Sequence, residues 1–117
     1  MNGKAKRMMQ VLRSLREEKN DYTKALRWVD ELKRAVELDP GLNYDLRIVT
    51  GELDQQLKKI AFCRALQLLT SLRNQTGKIP ESYLRADIRE IQGMIEKGIL
   101  SYVELGIKHT ELLRLAH

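Results

Sequence analysis

The 117-residue chain has a single cysteine, two prolines, one tryptophan, one phenylalanine and no long uninterrupted apolar run. One thiol cannot build a disulfide scaffold, so the fold depends on burial, and Cys63 can bridge only to another chain. No segment approaches the ~20 apolar residues of a membrane span, and no charged stretch leads into an apolar leader at the N-terminus. The expectation is a protein of the reducing cytoplasm, without membrane contact. Soft metal ligands are equally scarce: only His109, His117 and Cys63 stand available, and they share no spacing that converges on an ion. No cofactor, no metal and no small-molecule substrate is expected. Aromatic residues make up 5% of the chain, which leaves little for stacking on nucleic-acid bases.

What the chain does have is leucine and charge. Apolar residues account for 43% of it, 19 of them leucine, and charged residues for 32%. That much apolar side chain can offset the conformational entropy lost on folding, and the length suits one domain, residues 1–117.

Apolar residues recur at helical spacing almost throughout, and period-two alternation is absent beyond a few residues, so the fold class expected is all-α. Ala5, Met8, Leu12 and Leu15 form a first stripe, with residues 1–7 read as a mobile basic arm. Asn20-Asp21 offers an N-cap for a second helix carrying Tyr22, Ala25, Val29, Leu32 and Val36, which Asp39-Pro40-Gly41 stops. A long central helix is expected over about 44–74 with Asn43 as its cap. Its second half, with Ala61, Phe62, Ala65, Leu66, Leu68, Leu69 and Leu72, is apolar over much of its circumference, and Cys63 within it reads as a small buried hydrophobe. Gly51 is its weak point, a kink or a split into two helices. Pro80 opens the next helix, with Leu84, Ile88, Ile91 and Ile95, and Ser101 to Glu104 fits a capping box that opens the last. The whole reads as a four- to five-helix bundle with a long central helix.

Charge is uneven along this frame. Residues 1–19 hold six cations against two acids, and residues 55–80 hold five cations and no acid. Contacts to phosphates of a nucleic acid would fall on Lys4, Lys6, Arg7, Lys58, Lys59, Arg73 and Lys78, with Lys58, Lys59 and Arg73 on one side of an ideal helix and Arg64 on the other.

Motifs that would carry chemistry fail on their own terms. Thr76-Gly77-Lys78 lacks the second glycine and the hydroxyl of a phosphate loop. Asn74-Gln75-Thr76 has the form of a glycosylation acceptor, without a route to the transferase. Asp30-Glu31 and Glu52-x-Asp54 point apart on a helix rather than toward one substrate atom. A non-enzyme is therefore expected. The ending Ala35 to Pro40 resembles the second helix of a tetratricopeptide unit, but Trp28 and Arg16 occupy positions that unit keeps small.

A basic helix with Lys58, Lys59, Arg64 and Arg73, then Ile79-Pro80, then an acidic-apolar helix with Tyr83, Glu90 and Tyr102 resembles the helical domain of GINS replication subunits. The resemblance implies a scaffold joined to neighbours through large interfaces in a DNA-replication complex, although no strands accompany these helices. From the residues themselves the expected function is a helical interaction module, a homo-oligomer or a subunit docked to another protein. Its interface is expected at Met8, Leu12, Leu15, Tyr22, Val29 and Val36, whose near-heptad spacing suits helix pairing. Nucleic-acid binding is the alternative.

Overall fold

A computed structural model of the chain describes residues 3–75 and 77–116. Seven helices follow one another: α1 (Gly3–Glu17), α2 (Tyr22–Leu38), α3 (Leu42–Leu46), α4 (Glu52–Gln75), α5 (Glu81–Glu96), α6 (Tyr102–Leu105) and α7 (His109–Arg114). No strand occurs among the described residues. The chain groups into two compact units, Met1–Ile60 and Ala61–His117, and the division falls inside α4.

In the first unit α1 packs on α2 and α3, and α2 on α3. The buried side chains are the stripes the sequence marks: Met8, Val11, Leu12 and Leu15 from α1, Val29 and Leu32 from α2, Leu42 and Leu46 from α3. Asp21 caps α2, its carboxylate accepting the Lys24 N–H at 3.2 Å. Gly3 to Arg7 are the first residues of α1, and Ala5 among them is buried. The mobile arm expected there is thus a helix from Gly3 onward, because the apolar stripe begins at Ala5; Met1 and Asn2 lie outside the described residues.

The long helix expected over 44–74 is divided. Arg47, at φ +54°, ends α3, and Gly51, at φ +79°, stands just before α4; both lie in the left-handed region that a right-handed helix cannot run through, open without strain only to the glycine. Asn43 is therefore inside α3, whose cap is Gly41, and α4 starts at Glu52.

In the second unit α4 buries Ala61, Ala65, Leu68, Leu69 and Leu72, α5 buries Leu84, Ile88, Ile91 and Met94, and Leu100, Leu105, Ile107 and Leu112 complete the apolar interior. The wide apolar belt expected on α4 is narrower in space: Phe62 is half-buried, and Leu66 and Cys63 are exposed. Cys63 fails to bury because it sits on the helix face turned away from the Ala61, Ala65 and Leu72 stripe. Ser101 and Glu104 form the capping box, Glu104 N–H donating to Ser101 Oγ at 3.2 Å and Ser101 N–H to Glu104 Oε1 at 3.1 Å. Gly106, at φ +66°, then separates α6 from α7.

Candidate interaction surface

The corner between α3 and α4 is built from local backbone choices. α3 ends at Arg47, which holds φ at +54°, the sole non-glycine residue with positive φ among the described residues. The Ile48 N–H donates back to the Asn43 carbonyl at 3.1 Å, the closing bond of a helix end that glycine normally serves. An arginine in this backbone state costs about 1–2 kcal/mol, a cost a glycine would avoid. Strain of this kind, retained where a strain-free residue exists, points to a use for the side chain.

Two long-range ion pairs reach the corner from α1 and α2. Arg16 on α1 grips the Glu52 carboxylate with Nε at 2.5 Å and Nη2 at 3.1 Å, and Lys33 on α2 donates to Asp54 at 2.5 Å. Glu52 also accepts the Val49 N–H at 3.2 Å. The bond from Arg16 is the main reason the Glu52 carboxyl lies below its ordinary value, with the Val49 bond and the Arg16 charge adding to it and partial burial opposing. The same bond holds the Arg16 guanidinium above its usual range. Glu52 is thus a fixed anion that braces the turn, a poor candidate for moving protons.

Between these braces the chain presents apolar and aromatic side chains to solvent. Tyr44 is 91% exposed and Val49 69% exposed. With Arg47, Lys33, Glu52 and Asp54 they border an open cavity of about 630 Å³. Tyrosine and arginine beside a hollow of mixed polar and apolar lining are residue types that anchor protein interfaces.

In the second unit Arg64 pairs with Glu90 at 2.7 Å. Asp87 is pushed above the ordinary aspartate value by partial burial and the Glu90 charge, against the pull of Arg64. Val103 is 91% exposed, and Tyr83 and Leu66 are also at the surface. Tyr102 meets His109 edge-on at 5.6 Å. His117 and Thr76 lie outside the described residues, and no group of three metal-ligating side chains occurs among the rest. Among the described residues no helix is long and apolar enough to cross a membrane.

The structure redistributes the residues marked in the sequence. Of the interface expected from heptad spacing, Met8, Leu12, Leu15, Tyr22 and Val29 are buried and Val36 is half-buried. Those stripes are the faces by which α1 and α2 build the interior of their own unit, which leaves little of them at the surface beyond part of Val36. Among the basic residues Lys4, Lys6 and Arg7 lie together at the start of α1, where Arg7 reaches Glu31 at 3.6 Å. Lys58 and Lys59 are exposed neighbours on α4 within the first unit, and Arg73 and Lys78 are exposed in the second. Tyr44 and Val49 escaped the sequence reading because both fit the expected long helix; the signal that marks them is Gly51 just beyond. No known protein family, curated protein or solved structure matches the chain, so its reading rests on its own residues.

Proposed function

We propose that the chain is a non-enzymatic helical interaction module that docks onto another protein chain through the corner between α3 and α4. One observation carries this reading: Tyr44 stands almost fully and Val49 about two-thirds in solvent beside a strained arginine, on a turn that two ion pairs join to α1 and α2. A stable domain gains nothing from that combination unless something covers it. Counting α3 with α4 and α6 with α7 as interrupted helices leaves five, which suits a four- to five-helix bundle. The test is a photo-crosslinking amino acid placed at Tyr44 and, as a control, at exposed Glu111, in the cell that makes the protein. A discrete adduct from position 44 and none from 111 is expected; identical patterns from both positions overturn the proposal.

A second reading is nucleic-acid binding through phosphates, and it has its own observation. The first turn of α1 carries Lys4 and Lys6 and no acid, so cations crowd the positive end of the helix dipole, where an anion would be attracted twice over. Titration of labelled duplex and single strand should then show log affinity falling with log salt at about 0.7–0.9 per contact. Absence of binding at about 50 mM salt removes this reading, since phosphate contacts are strongest there.

A further inference from the structure

The outward face of α2 carries a pattern that the chain itself leaves unused. Opposite the buried stripe of Ala25, Val29 and Leu32 stand Arg27, Asp30, Arg34 and Glu37, all exposed, with signs alternating and spacings of three, four and three residues. These are the spacings of the two seam positions of a coiled-coil heptad, so the four side chains lie along one narrow line. Opposite charges three or four apart on a helix ordinarily have the chance to bridge. Among the described residues none of these four forms an ion pair or side-chain hydrogen bond, whereas Lys24, Glu31 and Lys33 on the same helix all do. Glu37 is further disfavoured: it stands in the last turn of α2, which holds no basic residue, against the negative end of the helix dipole. Beside the line Leu38 is 74% exposed and borders a shallow cleft floored by Met8 and Ala35.

We propose that this line is a self-recognition seam that pairs α2 with α2 of a second copy in antiparallel orientation. A two-fold axis at the level of Leu32 sets Arg27 against the partner's Glu37 and Asp30 against the partner's Arg34, and the symmetry repeats both pairs. Every charge in the line then meets its opposite, and the cation supplied to Glu37 also relieves the helix end. The pattern selects this arrangement over its competitors. Parallel pairing sets each charge against its own copy, and moving the axis to Asp30 or to Arg34 sets like charges face to face. The occupant follows from the same arithmetic. Acids and bases are equal in number along the line, so a polyanion gains nothing there, while a second copy carries the complementary pattern by construction. The inference deepens the interaction-module reading but stands on different residues from Tyr44 and Val49, so the crosslinking experiment above and the one below fail separately.

The test is sedimentation velocity of the full chain, with circular dichroism to confirm that each variant is folded. At about 100 μM the wild type should be dimeric at about 50 mM salt and move toward monomer near 1 M, where the screening length falls to about 3 Å. Asp30→Arg or Arg34→Asp alone places like charges opposite one another and should weaken dimerisation at least about tenfold. The double variant D30R/R34D exchanges the two signs, restores every pair and should restore the dimer. A wild type that stays monomeric at low salt overturns the proposal. So does an association that the single reversals leave unchanged, or one that the double exchange does not rescue.

Discussion

Gly51→Ala and Gly93→Ala are the same substitution with opposite expected signs, and the contrast tests how the divided central helix is enforced. At Gly51 an added Cβ meets only Gln55 Nε2 at 3.8 Å, so the cost is not steric; φ at +79° places alanine in the left-handed region. That costs about 1–2 kcal/mol, offset by about 0.4–1 kcal/mol from the narrower unfolded ensemble of alanine, for a net loss near 1 kcal/mol. Gly93 lies within α5, and a Cβ there meets nothing within 4 Å. Helix propensity alone then favours alanine by about 0.8–1 kcal/mol. With an unfolding entropy of about 2.1 cal/mol/K per residue, 1 kcal/mol moves the melting temperature of a chain this long by about 4 °C. Thermal unfolding followed by far-UV circular dichroism should therefore place the two variants about 8 °C apart, with the parent between them and the folded signal of G51A unchanged. If G51A instead melts higher and gains helical signal, α3 and α4 prefer to fuse, and the account of the corner as a tertiary requirement is refuted.

Other expectations follow from single residues. Arg47→Gly should stabilise the protein by about 0.5–1 kcal/mol in urea unfolding, the strain released less the entropy of glycine, while weakening the adduct from position 44. The folded Glu52 carboxyl titrates below its unfolded value near 4.5, so its stabilisation is full above that pH and is lost as pH falls through the lower folded value; Glu52→Gln should remove this acid-side slope from a pH series of melting temperatures. Asp87 has the opposite sign. Its folded value lies above the unfolded value near 3.8, so the ionised group costs stability at neutral pH, and Asp87→Asn should melt higher at pH 7 with a gain that shrinks in acid. Lys4→Glu with Lys6→Glu should stabilise α1 by about 0.3–1 kcal/mol per residue, and melting that falls instead would show that the first turn does not feel the dipole.

The legible part of this protein is the part governed by near neighbours in the chain. The Asp21 cap and the Ser101 and Glu104 box are bonds between residues three apart, and both are visible as residue types in order. The stripes Met8, Leu12 and Leu15 or Leu84, Ile88 and Ile91 follow from 3.6 residues per turn, and all are buried. Their use was not legible, because a stripe that packs inside one chain has the same period as one that pairs two chains. Leu66, Tyr44 and Val49 show the same limit from the other side: each is apolar or aromatic within a segment that reads as helix, yet each is exposed, and burial is not a property of spacing alone.

The sequence alone thus determined the all-helical class, several helix ends and most of the faces that seek burial, since these depend on the local backbone and on side-chain spacing, but not where the segments 44–74 and 101–114 break. Tertiary structure decided what lies at the surface and which charges are spoken for. Arg16 meets Glu52 across 36 residues and Arg64 meets Glu90 across 26, distances at which no local rule operates. The left-handed Arg47 belongs to the local part, since it closes its own helix end through the bond from Ile48 N–H to the Asn43 carbonyl, although its residue type does not announce that state. Only with those partners assigned do Tyr44, Val49 and the alternating charges of α2 stand out as what remains uncovered.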